Sequence, residues 1–126
     1  MDRFWLYVRL LASAAFLGFA VVGLGFALLP GEFTGAPVGR SAAFWHGLAL
    51  AFMATVSVLA LMVAVDPRRY WPMLLPLAVG KAVSSLSSMA WLTVYPDVSM
   101  LAANSIVDGA IALASLALYV LASRRV

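Results

Sequence analysis

The sequence predicts an all-α integral membrane protein: an up-down bundle of four transmembrane helices with both termini on the cytoplasmic side. Three observations predict it. The chain is 65% hydrophobic and only 10% charged, whereas a soluble domain averages near half apolar and about a quarter charged. Its apolar residues gather into four stretches, each near the ~20 residues a helix needs to cross a ~30 Å hydrocarbon core. Its basic residues gather at one set of stretch ends. At 126 residues, one four-helix domain covering 1–126 is the natural count.

The first span covers about 4–29, "FWLYVRLLASAAFLGFAVVGLGFALL", and stops at Pro30-Gly31, a strong breaker pair. Its apolar run from Leu10 to Leu29 exceeds the ~7–15 residues of a signal-peptide core, so it reads as a retained helix. Ala14, Gly18 and Gly25 fall on roughly one face. Small residues so spaced let backbones approach closely in a membrane, against the chain's own helices or another subunit. The connector "PGEFTGAPVGRS" carries the Glu32/Arg40 pair and reads as a solvated link or a small cap. The second span covers about 42–65 and closes at "DPRR". The third covers about 70–94 and closes at Tyr95-Pro96-Asp97. Pro72 costs little in its first turn, and Pro76 is expected to kink it. The fourth covers about 98–122 and closes at "SRRV".

Positive charge sets the orientation. Arg3, Arg9, Arg68, Arg69, Arg124 and Arg125 fall on one side, and Arg40 alone on the other. In a chain this apolar, the net charge of +3 orients the protein in a bilayer rather than binding nucleic acid. Trp5, Tyr7, Tyr70, Trp71 and Tyr119 fit a cytoplasmic aromatic belt, and Trp45, Trp91 and Tyr95 an outer one.

The third span raises the sharpest question. "GKAVSSLSSMAW" puts Lys81 eleven positions past Tyr70, ~16 Å deep and near mid-bilayer. A charge there costs about 2.5–3.5 kcal/mol on insertion scales. Asp108 lies ten positions past Val98, ~15 Å from the opposite surface and about one helical turn from the depth of Lys81. A Lys81–Asp108 ion pair across the third and fourth spans is therefore expected. Lys81, Ser84, Ser85 and Ser88 share one helical face, and Asn104, Asp108, Ser115 and Tyr119 share another. His46, near the estimated depth of Asn104, is a candidate to join a polar pocket floored by Lys81. Two uses of this set stand open: glue that fixes helix register, or a ligand or proton site.

Other chemistry is excluded or unsupported. With no cysteine there are no disulfides, iron–sulfur clusters or thiolate nucleophiles. One histidine cannot ligate a haem from both sides, and a dedicated metal site is not expected. No phosphate-binding loop or zinc-protease motif is present, so no catalytic residue is assigned.

"LLPG" closing the first span, the arginine leading into "GRSAAFWHGLALA", and the "DPRR" turn resemble the DoxX-like small bacterial membrane proteins. The resemblance covers most of the chain. It implies an accessory subunit of a quinone-linked oxidoreductase in the bacterial inner membrane, with no catalytic residue carried over. Small multidrug-resistance transporters are similar in length and span number, but their glutamate in the first helix has no counterpart here, where the only central polar residue is Ser13. The expected function is thus a non-catalytic membrane subunit that binds no cofactor itself. It would partner a larger membrane protein, or its own copies through Ala14, Gly18 and Gly25. The alternative is a small lipid- or quinone-binding or proton-coupled transport protein using Lys81 and Asp108.

Overall fold

A computed structural model describes residues 2–34 and 39–126. All regular structure among the described residues is helical: α1 (Arg3–Leu28), α2 (Pro30–Thr34), α3 (Arg40–Val65), α4 (Pro67–Tyr70), a 3-10 turn (Trp71–Met73), α5 (Leu74–Leu92) and α6 (Ser99–Ser123). Among the described residues, four helical stretches are long and apolar enough to cross a membrane: Arg3–Leu28, Ala42–Val65, Pro67–Leu92 and Ser99–Ser123. All four expose large apolar side chains, such as Leu24, Val58, Leu86 and Leu113. Soluble proteins rarely leave so much contiguous apolar surface open. The set points to an integral membrane protein.

The chain divides into two compact units, Met1–Asp66 and Pro67–Val126. In the first, α1 and α3 form an antiparallel hairpin. Asp2 caps α1 by accepting the Phe4 N–H at 3.2 Å. Trp5, Val8, Ala12 and Phe19 are buried on α1, and Met53, Val56, Ala60 and Val63 on α3. Spacings of three, four and seven make a heptad-type seam on each helix. Gly23 lets the helices close up, since a Cβ there would stand 3.4 Å from Met53 Cβ.

Each helix of this hairpin also covers the other's C-terminal end. The last carbonyls of a helix lack intrahelical donors. Four residues past Phe26 comes Pro30, which has no N–H to offer the Phe26 carbonyl. His46 Nε2 lies 2.6 Å from that oxygen, and since a carbonyl only accepts, Nε2 donates. At the other end, Arg9 Nη2 donates to Val65 O at 3.0 Å. A cation suits the negative end of a helix dipole.

Part of the connector differs from a plain link: Pro30–Thr34 forms the short α2. Residues 35–38, and with them the middle of the expected cap, lie outside the described residues.

The second unit is the hairpin of α5 and α6. Pro76 was expected to kink the third span. That span is interrupted by the 3-10 turn Trp71–Met73, which holds Pro72, the residue four before Pro76, and α5 begins at Leu74. The reverse turn at the far end is tight. Tyr95 N–H donates to Trp91 O at 2.8 Å, and the two rings stack at 5.8 Å.

Candidate functional site

The polar groups of the second unit lie along the seam between α5 and α6. On α5 the buried face runs through Leu74, Leu77, Ala78, Lys81, Ser85 and Ser88, and on α6 through Ser105, Asp108, Ala112, Ser115 and Ala122. Apart from the adjacent Leu77 and Ala78, both series step by three, four or seven residues, so each helix presents one stripe to its neighbour. Alanines and serines dominate, which brings the two backbones close.

Lys81 Nζ lies 2.9 Å from Asp108 Oδ1, and the two residues are only 3% and 5% exposed. At this distance the bond is charge-assisted. Removing two ions from water is costly, and their attraction offsets that cost only with good geometry. One turn further along, Ser85 Oγ donates to Ser105 O at 2.6 Å. Beyond it, Asn104 Nδ2 donates to Ser84 Oγ at 3.1 Å and to Ser88 Oγ at 2.8 Å. The seam is thus an ordered ladder: an ion pair, a hydroxyl on a backbone carbonyl, then an amide bridging two hydroxyls. At its other end the Trp71 and Tyr119 rings meet at 5.3 Å.

Six of the seven residues singled out from sequence, Lys81, Ser84, Ser85, Ser88, Asn104 and Asp108, come together in this ladder. The seventh, His46, belongs to the first unit, where it covers the end of α1. Ser57 on the same helix returns its hydroxyl to Met53 O at 2.7 Å, a local bond that satisfies it within α3. Ala14 and Gly18 are exposed, and a Cβ at Gly18 would meet nothing within 4 Å. Within the first unit, α1 does not pack against α3 through these positions. Among the described residues, no three His, Asp or Glu side chains come together.

Two participants carry no obvious sequence signal. Gly109 sits one turn past Ser105, and a Cβ there would stand 2.9 Å from Ser85 Oγ. The serine hydroxyl reaches the Ser105 carbonyl only because that position is bare. Arg9 reads in sequence as one more topology charge, yet it closes the end of α3. Its place inside the apolar run "LYVRLLAS" was the available hint, since a charge there needs an acceptor.

No family model matches the chain, and searches of curated proteins and of solved structures return no match.

Proposed function

We propose that the chain is a small, non-catalytic integral membrane subunit that anchors or stabilises a larger membrane complex. It sits in a bacterial cytoplasmic membrane with both termini inside. The observation that carries this reading is the ladder itself. Lys81, Asp108, Ser85, Ser84, Ser88 and Asn104 bind one another or the neighbouring backbone, so the seam works as register-fixing glue. The open face around Ala14 and Gly18, continuing toward Gly25, supplies room for a partner helix. A quinone-linked oxidoreductase is the complex that the DoxX-like resemblance implies.

The test is extraction from the native membrane in mild detergent, followed by native mass spectrometry. A stoichiometric protein partner is expected, and Gly18→Leu should release it while leaving helicity unchanged. A monodisperse single chain, active alone, would sink the proposal.

A second reading has one observation in its favour. Asn104 is exposed although it bridges two serines, so the ladder reaches the surface of its hairpin. A lipid, a quinone or a proton-coupled solute engaging Asn104 beside Lys81 and Asp108 would make the ladder a binding site. In that case the combined change Lys81→Met with Asp108→Leu abolishes function even when the fold survives.

A further inference from the structure

The ladder reaches the surface of the second unit at Asn104, and there it is incomplete. Asn104 directs both Nδ2 hydrogens into its own hairpin, to Ser84 Oγ at 3.1 Å and to Ser88 Oγ at 2.8 Å. The amide oxygen keeps two lone pairs, and each serine hydroxyl keeps a proton to donate. Among the described residues, no donor meets Asn104 Oδ1 and no acceptor takes the Ser84 or Ser88 proton. The surroundings of the amide are apolar. Met100, Ala103 and Val107 are exposed beside it, at the three-four-seven spacing of one helical stripe. This stripe flanks the buried face through Ser105, Asp108 and Ala112. Its depth matters too. The 25 residues of α6 make ~37 Å of helix against a ~30 Å hydrocarbon core. Asn104 is five residues past Ser99, ~7.5 Å along the axis, which puts it inside the hydrocarbon boundary. Lipid tails offer neither donor nor acceptor there.

We infer that this side of the second unit pairs two copies of the chain, through Asn104 of each. The inference rests on the membrane reading above. Copies inserted in the same orientation are related by a two-fold axis along the membrane normal, so each residue meets residues of its own depth. Asn104, Ser84 and Ser88 share one depth, because they are bonded to one another. The patch is therefore its own complement. The amide oxygen of each copy accepts a serine hydroxyl of the other, and two equivalent bonds close the pair. Met100 and Val107 pack around them, and the small side chain of Ala103 lets the backbones approach. The stripe carries no charged residue, so the two-fold axis brings no like charges together. A single asparagine in an apolar stripe sets register and copy number in paired helices.

The test uses the full chain in native membranes and then in mild detergent. Recovery in the pellet after an alkaline wash checks the membrane reading first; a chain washed off overturns both proposals. Copies per particle are then counted by native mass spectrometry across a dilution series. Wild type should hold two copies. Asn104→Leu should weaken the pair by about tenfold to a hundredfold, with unchanged helicity showing that the hairpin persists. Gly18→Leu should leave the pair intact, so loss of a larger complex and loss of the pair are read separately. Cross-linking in the native membrane needs no change at Asn104. The chain has no cysteine of its own, so Met100→Cys and Val107→Cys should each give disulfide-linked dimers on mild oxidation. Leu113→Cys, 72% exposed but about 120° round the helix from Val107, should not. One copy per particle in wild type, alone or with a different protein, overturns the inference. So does an undiminished pair in Asn104→Leu, or equal cross-linking at all three positions.

Discussion

Lys81 is tolerable in an apolar helix because Asp108 Oδ1 stands 2.9 Å away. Removing either partner leaves the other charge buried without its counter-ion, which costs about 3–5 kcal/mol. Lys81→Met and Asp108→Asn should therefore each lower stability sharply in reversible detergent unfolding followed by circular dichroism. Lys81→Met combined with Asp108→Leu should recover to within about 1.5 kcal/mol of wild type, because an apolar pair of similar volume avoids the desolvation cost. If the double variant stays as unstable as the singles, the two side chains hold the helices through more than their mutual charge. His46 carries a smaller prediction. His46→Ala removes the hydrogen bond to Phe26 O and should cost about 0.5–1.5 kcal/mol. His46→Gln, which keeps an N–H, should regain part of that loss in the same assay.

At the scale of elements, two glycines make opposite predictions. Gly109→Ala pushes a methyl onto Ser85 Oγ, 2.9 Å from the new Cβ. Either the Ser85–Ser105 bond breaks or α6 moves outward, at about 1–3 kcal/mol. Gly18→Ala meets nothing within 4 Å and should gain up to about 1 kcal/mol from helix propensity in the isolated chain. Thermal unfolding of the two variants side by side distinguishes them. These helices were readable from sequence because long apolar runs closed by "LLPG", "DPRR" and "YPD" leave little choice of boundary. The observed ends of the long helices lie within a few residues of the expected ones, except where α4, the 3-10 turn and α5 divide the third span. Proline chemistry decided that division: Pro72 and Pro76 sit close enough for the chain to restart its helix between them. The α5 stripe was equally legible, since Lys81, Ser84, Ser85 and Ser88 share a face by spacing alone. What spacing could not give was the acceptor of each bond. Ser85 binds a backbone carbonyl rather than a side chain, and Gly109 matters only through the atom it lacks. His46 covering Phe26 also depends on the register of α1 against α3, which no single helix encodes.

At the scale of the whole molecule, the proposed topology follows from the lopsided arginine distribution along four apolar helices. The proposed arrangement places residues near both termini and the α3–α4 junction inside, with the α2–α3 link and the α5–α6 turn outside. The chain has no cysteine, so single cysteines can be read without background. The measurement that tests the membrane account most directly is labelling of intact cells with a membrane-impermeant maleimide. Single cysteines would replace Asp2, Gly39, Asp66, Asp97 and Ser123 in turn. Labelling of Gly39→Cys and Asp97→Cys, with Asp2→Cys, Asp66→Cys and Ser123→Cys reacting only after the membrane is opened, is the predicted result. Labelling of all five from outside, or the reversed pattern, would contradict the account.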